Sequence, residues 1–112
     1  MPRPRKPRFI DAPPIVDRFH PHPFHSKGKG DVFLPLEGLE AIRLRDYESL
    51  SQEEAAERMN VSRQTFGRIL TQARKTVSEA LVLGKVLRIE GGHFEMPSRG
   101  QRRRRRGRYG PF

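Results

Sequence analysis

The sequence predicts a small all-α protein: a three-helix body containing a helix-turn-helix, with an irregular proline-rich N-terminal arm and a disordered arginine-rich C-terminal tail. Three observations carry that expectation. Apolar residues recur at helical spacing through residues 34–48, 52–59 and 63–83. The stretch LSQEEAAERMNVSRQTFGRIL, residues 50–70, reads as two helices joined by a tight turn. Both flanks are poor in core-forming residues, with most of the ten prolines before residue 32 and seven arginines between Arg99 and Arg108. The expected divisions are residues 1–31 for the arm, 32–92 for the helix-turn-helix domain and 93–112 for the tail.

Each element has a local reason. Proline at the density of the arm cannot sustain a helix, so extended or irregular chain is expected there, in part packed on the core. LPLEGLEAIRLRDYE, residues 34–48, sets Leu36, Leu39, Ile42 and Tyr47 on or near one face of a first, supporting helix. Ser51 followed by Glu54 is a capping box that starts a second helix over residues 52–59. Ala55 and Ala56 are small enough for a close helix crossing, and Met59 closes that apolar stripe. Asn60 suits the turn because it tolerates the left-handed conformation. Val61 is an apolar plug, and Ser62 caps a third helix over residues 63–83. Phe66, Ile69, Leu70, Ala73 and Val77 should face the core, and Gly84 is a stop signal. KVLRIEGG alternates loosely at Val86, Leu87 and Ile89, which fits either a short strand or an extended tail laid on the body.

Charge is segregated along this body. Residues 36–57 hold seven acidic side chains against two arginines, whereas residues 62–77 hold four basic ones and no acid. A surface tuned only for solubility interleaves signs. The outward face of the third helix carries Arg63, Gln64, Gly67, Arg68, Thr71, Gln72, Arg74 and Lys75. Arg pairs bidentately with guanine and Gln with adenine, while Ser and Thr reach phosphates or base edges. Arg63, Gln64 and Arg68 are therefore the first candidates for base contact, with Thr65 on a base or phosphate and Ser62 on a phosphate. Gln72 shares the face; Arg74 and Lys75, two turns on, suit phosphates. Gly67 costs about 1 kcal/mol of helix stability against alanine and would let the backbone approach DNA.

The termini add sequence-blind attraction. Arg3, Arg5 and Lys6 lie in a basic opening suited to a minor groove or a phosphate track. Arg102, Arg103, Arg104, Arg105 and Arg106 form an uninterrupted cationic run that suits DNA or RNA backbone, and Tyr109 and Phe112 suit stacking on unpaired bases.

Composition sets the outer bounds. At 112 residues the chain is one domain at most, and its net charge of +10 favours a polyanionic partner. DNA is the first expectation and RNA the alternative; no membrane segment or secretory leader is visible, which places the protein in the cytoplasm. A homodimer on a two-fold DNA site is compatible with so small a module, although no dimer seam stands out. With no cysteine there is no disulfide or thiolate site. His20, His22 and His25, with Asp17 or His93, match no zinc spacing and read better as an irregular surface loop than as a metal site. No phosphate loop, nucleophile elbow or HExxH is present, and the body's acids are assigned to helix capping and dipole compensation. Neither an enzyme nor a cofactor is expected.

The opening MPRPRK, the stretch LEGLEAIRLRDYESLSQEEAAERMNVSRQTFGRIL and the stretch ARKTVSEALVLGKVLRIEGG together resemble an uncharacterised prokaryotic protein family. Its helix-turn-helix is similar to region four of bacterial sigma factors. The resemblance spans residues 1 to about 92 and implies DNA binding, with the helix from Ser62 in the major groove. It carries Ser62, Arg63, Gln64, Thr65 and Arg68 over as the matched positions. The chain departs from many such relatives in lacking N-terminal cysteines, and the arginine run is outside the resemblance. The combined expectation is a transcriptional regulator. The rival readings are an RNA-binding or ribosome-associated protein and a protein–protein adaptor that docks on the transcription machinery through Glu53, Glu54 and Glu57.

Overall fold

Helical and extended segments interleave in the computed structural model, which describes residues 7–22 and 30–97. The order is β1 (Arg8–Phe9), β2 (Arg18–Phe19), β3 (Asp31–Leu34), α1 (Leu36–Ile42), α2 (Gln52–Arg58), α3 (Arg63–Leu83), β4 (Val86–Ile89) and β5 (Phe94–Glu95). The all-α expectation fails: among the described residues 17% are strand, in two small sheets, and 48% are helical, so this is a small mixed α/β domain. The reason lies in strand length. Strands of two to four residues are too short to display an alternating pattern, and their hydrogen bonds come from chain far away in sequence.

The first part of the expected opening helix is strand. Leu34 precedes Pro35, and the proline ring pushes the preceding residue out of helical conformation. In β3, Val32 and Leu34 are buried while Asp31 and Phe33 are exposed. KVLRIEGG resolves as a strand, β4, which lies at the centre of a three-stranded sheet. It runs parallel to β3, with Phe33 opposite Arg88, and antiparallel to β2, with Arg18 opposite Arg88. The second sheet is the parallel pair β1–β5, with Arg8 opposite Phe94. Residues expected in the arm and in the tail thus pair with each other.

The helices pack through small residues. A Cβ on Gly38 would lie 3.0 Å from Leu34 Cδ1 and 3.2 Å from the Ala73 Cβ, so α1 can approach β3 and α3 only without a side chain there. One buried cluster joins Ala41, Leu44, Ala55, Ala56, Met59, Phe66 and Leu70. A second, of Leu34, Ala73 and Ile89, fastens α3 to the three-stranded sheet. After Ile42 the helix widens into a π-helical turn over Arg43–Tyr47, where the Glu48 N–H donates to the Arg43 carbonyl at 2.8 Å. The wider turn changes the phase of the side chains. Leu44 becomes fully buried, and Tyr47, expected near the apolar face, is 77% exposed.

The acids of α1 act differently from expectation. Arg43 pairs with Asp11 at 2.9 Å, Glu40 at 2.8 Å and Glu48 at 3.1 Å, all largely hidden from solvent. The Asp11 N–H also donates to Glu40 at 3.2 Å, which clamps the N-terminal segment to α1. Burial pushes the Glu40 carboxyl above its ordinary 4.5, against the lowering influence of the Arg43 guanidinium. Glu37 accepts the His93 N–H and so holds the segment leading to β5. These carboxylates fasten the two ends of the chain to α1; of the acids assigned to capping, Glu54 does cap.

Candidate nucleic-acid interface

The α2–α3 unit is built at each point by short-range chemistry. The Ser51 hydroxyl accepts the Glu54 N–H at 3.1 Å while the Glu54 carboxylate accepts the Ser51 N–H at 3.2 Å, a complete capping box at the start of α2. Glu53 and Glu54 in the first turn also oppose the positive end of the helix dipole. Asn60 takes the left-handed conformation, with φ 61°, and the Val61 N–H returns to the Ala56 carbonyl at 3.0 Å. Ser62 then caps α3 by accepting the Thr65 N–H at 3.1 Å. Such caps contribute about 1 kcal/mol each. Helix α3 runs over the expected residues and ends at Gly84, whose φ of 66° is the left-handed stop that glycine adopts without a steric penalty.

Packing divides α3 into two faces. Phe66, Leu70, Ala73, Thr76 and Ala80 are buried, and Ile69 and Val77 are half-buried against the two clusters. Thr76 and Ala80 extend the expected inner face. Gln64, Arg68, Thr71 and Lys75 are exposed and recur every three or four residues, which aligns them on one outward stripe. At 1.5 Å per residue this stripe is roughly 16 Å long. Thr71 was absent from the expected contact set, although the helical spacing that selected Arg68 and Lys75 places it between them.

The cations of this surface are not equivalent. Arg74 is held by Asp46 of the π-helical turn through two hydrogen bonds, at 2.6 and 3.2 Å. That pairing keeps the Asp46 carboxyl below its ordinary 3.8 and raises the arginine. Arg63 lies 3.6 Å from Glu53 with both side chains exposed, a loose pair. Arg68 is drawn toward Thr65, its Nη2 3.4 Å from the hydroxyl oxygen, and enters no ion pair among the described residues. Lys75 is exposed and enters none either. The stripe therefore holds two uncommitted cations two turns apart, flanked by Gln64 and Thr71. Gln72 is exposed beside them, and Ser62 and Thr65 sit at the helix start, where backbone N–H groups attract anions. A Cβ on Gly67 would meet nothing within 4 Å, so packing does not require a glycine there.

The remaining expected contacts lie elsewhere. Arg3, Arg5, Lys6 and Arg102, Arg103, Arg104, Arg105 and Arg106 are outside the described residues, as are His25, Tyr109 and Phe112. Among the described residues, no three His, Asp or Glu side chains converge as a metal site. No helix among them is long and apolar enough to cross a membrane. Arg8, within the segment expected to be an irregular arm, is buried at 7% exposure, and the N–H of the next residue, Phe9, donates to the Met59 carbonyl at the end of α2.

Comparison with known proteins gives a consistent picture. Residues 1–97 match the family described as "Protein of unknown function DUF134". A UPF0251 protein of Thermoanaerobacter pseudethanolicus is 46% identical over 98% of this chain and 98% of its own length. One of Caldanaerobacter subterraneus subsp. tengcongensis is 46% identical over 97% of each chain. Another, from Caldicellulosiruptor bescii, is 52% identical over 84% of this chain and 65% of its own. No solved structure matches.

Proposed function

We infer that this chain, which belongs to the DUF134 family of unknown function, is a DNA-binding protein and a transcriptional regulator whose α2–α3 unit acts as a helix-turn-helix. The observation that supports this most is the outward stripe of α3, with Gln64, Arg68, Thr71 and Lys75 exposed and both cations outside any described ion pair. Helix α3 enters the major groove with its N-terminal turns against the bases, in the manner of sigma factor region four. Arg68 and Gln64 supply base contacts, and Lys75 supplies a phosphate contact. Ser62 and Thr65 bind phosphate where the dipole of α3 favours it. Arg63 joins by exchanging its loose pairing with Glu53 for the nucleic acid. Arg74 is held back by Asp46.

The division of labour follows from energetics. Phosphate contacts give affinity and salt dependence without sequence information, whereas contacts to base edges discriminate. The N-terminal basic residues and the arginine run add the first kind of term only. Amide chemical shifts recorded while a duplex is added test the assignment. Perturbations should concentrate between Ser62 and Lys75. Shifts confined to the exposed acids of α2, Glu53, Glu54 and Glu57, on addition of a polymerase subunit, with none on addition of DNA, would replace the reading with an adaptor.

A further inference from the structure

The segment APPIV, residues 12–16, is a strap fastened at both ends. Before it, the Ile10 N–H donates to the Glu95 carbonyl at 3.0 Å and the Asp11 carboxylate meets Arg43 at 2.9 Å. After it, the Ile89 N–H donates to the Asp17 carbonyl at 2.9 Å. Pro13 and Pro14 fix their own φ angles, so the strap resists collapse between its anchors. Between strap and body lies a cavity of about 230 Å³, open on one side. Its walls are Ile10 of the N-terminal segment, Leu36 and Leu39 of α1, and Ile89 of β4. Ile15, 80% exposed, and Val16 and Phe19, each about half exposed, also line it. Apolar surface that lines a concave site and is left open to water marks a place where another apolar body is seated.

Glu40 and Arg43 are the charged side chains in the lining, and they make one end of the cavity polar. An ionised carboxylate offers about four lone-pair positions. Glu40, only 7% exposed, uses three: Oε2 accepts from Arg43 Nη2 and the Asp11 N–H, and Oε1 from Arg43 Nε. The second position on Oε1 has no described donor. The sign of the head group that fits there follows from charge. Arg43 faces three carboxylates, Asp11, Glu40 and Glu48, which leaves two negative charges in excess when all are ionised. An anionic head is repelled at that end and an ammonium is attracted. Size bounds the rest. An apolar cavity of roughly 150 Å³ holds benzene, so one of about 230 Å³ holds about nine non-hydrogen atoms.

We propose that this cavity binds a small apolar amine, with its hydrocarbon part against Leu36, Leu39 and Ile89 and its ammonium head at Glu40. The site shares no residue with the outward stripe of α3 and does not depend on the DNA reading. Amide chemical shifts of the full chain, recorded while 2-phenylethylamine is added, test it. Perturbations should concentrate at Ile10, Ala12, Val16, Leu39, Glu40 and Ile89. Half-saturation should fall below about 10 mM, the floor that ligand efficiency sets for about nine non-hydrogen atoms. Phenylacetate, of the same skeleton with a carboxylate head, should bind about tenfold more weakly or worse. Ethylamine, which keeps the head without the ring, should leave these amides unmoved. Ala12→Leu, which extends a lining side chain into the space, should weaken the amine by about tenfold or more. Equal responses to amine and carboxylate, or to phenylethylamine and ethylamine, would overturn the proposal. So would an Ala12→Leu variant that melts like the wild type and binds the amine unchanged, or shifts confined to the exposed acids of α2.

Discussion

Replacing Lys75 and Arg68 separately by alanine should give losses of different kinds. Both side chains are exposed on the outward stripe of α3, and neither enters a described ion pair, so removal breaks no internal charge compensation. A lysine that holds one phosphate contributes about 0.9 to the slope of log affinity against log salt. Lys75→Ala should lower that slope by this amount. Between 50 and 200 mM salt the gap between wild type and variant then narrows by roughly 3.5-fold, equally on cognate and random duplexes. Arg68, if paired with a guanine edge, provides about 1–3 kcal/mol of discrimination, or roughly 5- to 150-fold. Arg68→Ala should therefore lose most on the cognate duplex and little on random DNA. Fluorescence anisotropy with both duplexes at four or five salt concentrations separates the two effects. An unchanged slope in Lys75→Ala, or equal losses on both duplexes in Arg68→Ala, would refute this division of roles.

Three further outcomes follow from the same geometry. Gly67→Ala should stabilise α3 by about 0.5–1 kcal/mol, because nothing obstructs the new Cβ, yet lower duplex affinity if the backbone approaches DNA there; calorimetry and anisotropy on the same sample decide whether the two move in opposite directions. Arg43→Ala should destabilise the fold by about 3–5 kcal/mol, since Asp11, Glu40 and Glu48 lose their common partner, and a chemical-denaturation midpoint close to wild type would contradict that. Asp46→Asn should release Arg74 and steepen the salt slope of duplex binding. The Asp46 carboxyl is lowered below 3.8 in the fold, so its small stabilising effect exists above that value and fades as pH falls through the folded value. The stability gap between Asp46→Asn and wild type should accordingly be present at pH 7 and vanish in acid.

Where structure was legible in the sequence, its causes were local. The capping box at Ser51, the left-handed Asn60, the cap at Ser62 and the glycine stop at Gly84 are each set within a few residues, and α3 spans the residues expected of it. The inner and outer faces of α3 followed from spacing alone. The sheets were not legible because their causes are distant: Phe9 and Glu95 meet only after the whole body has folded between them. Leu34 was absorbed into a helix because its apolar spacing fits α1, although Pro35 marks the boundary. Tyr47 was misplaced by a π-helical turn that no local signal announced. Arg43 and Arg8 look alike as isolated letters, and only the fold distinguishes a cation with three carboxylates from one with none. The pairing of Arg74 with Asp46, 28 residues apart, was hidden for the same reason.

Selection of bound duplexes from a random DNA pool by the full chain, at about 150 mM salt and with excess nonspecific competitor, is the most direct test of the central claim. These conditions suppress binding through phosphates alone. The expected result is an enriched motif that Arg68→Ala fails to enrich, with two-fold symmetry in the motif if a homodimer binds. Recovery of DNA with no enriched sequence, or identical enrichment by Arg68→Ala, would contradict a role for α3 in reading bases.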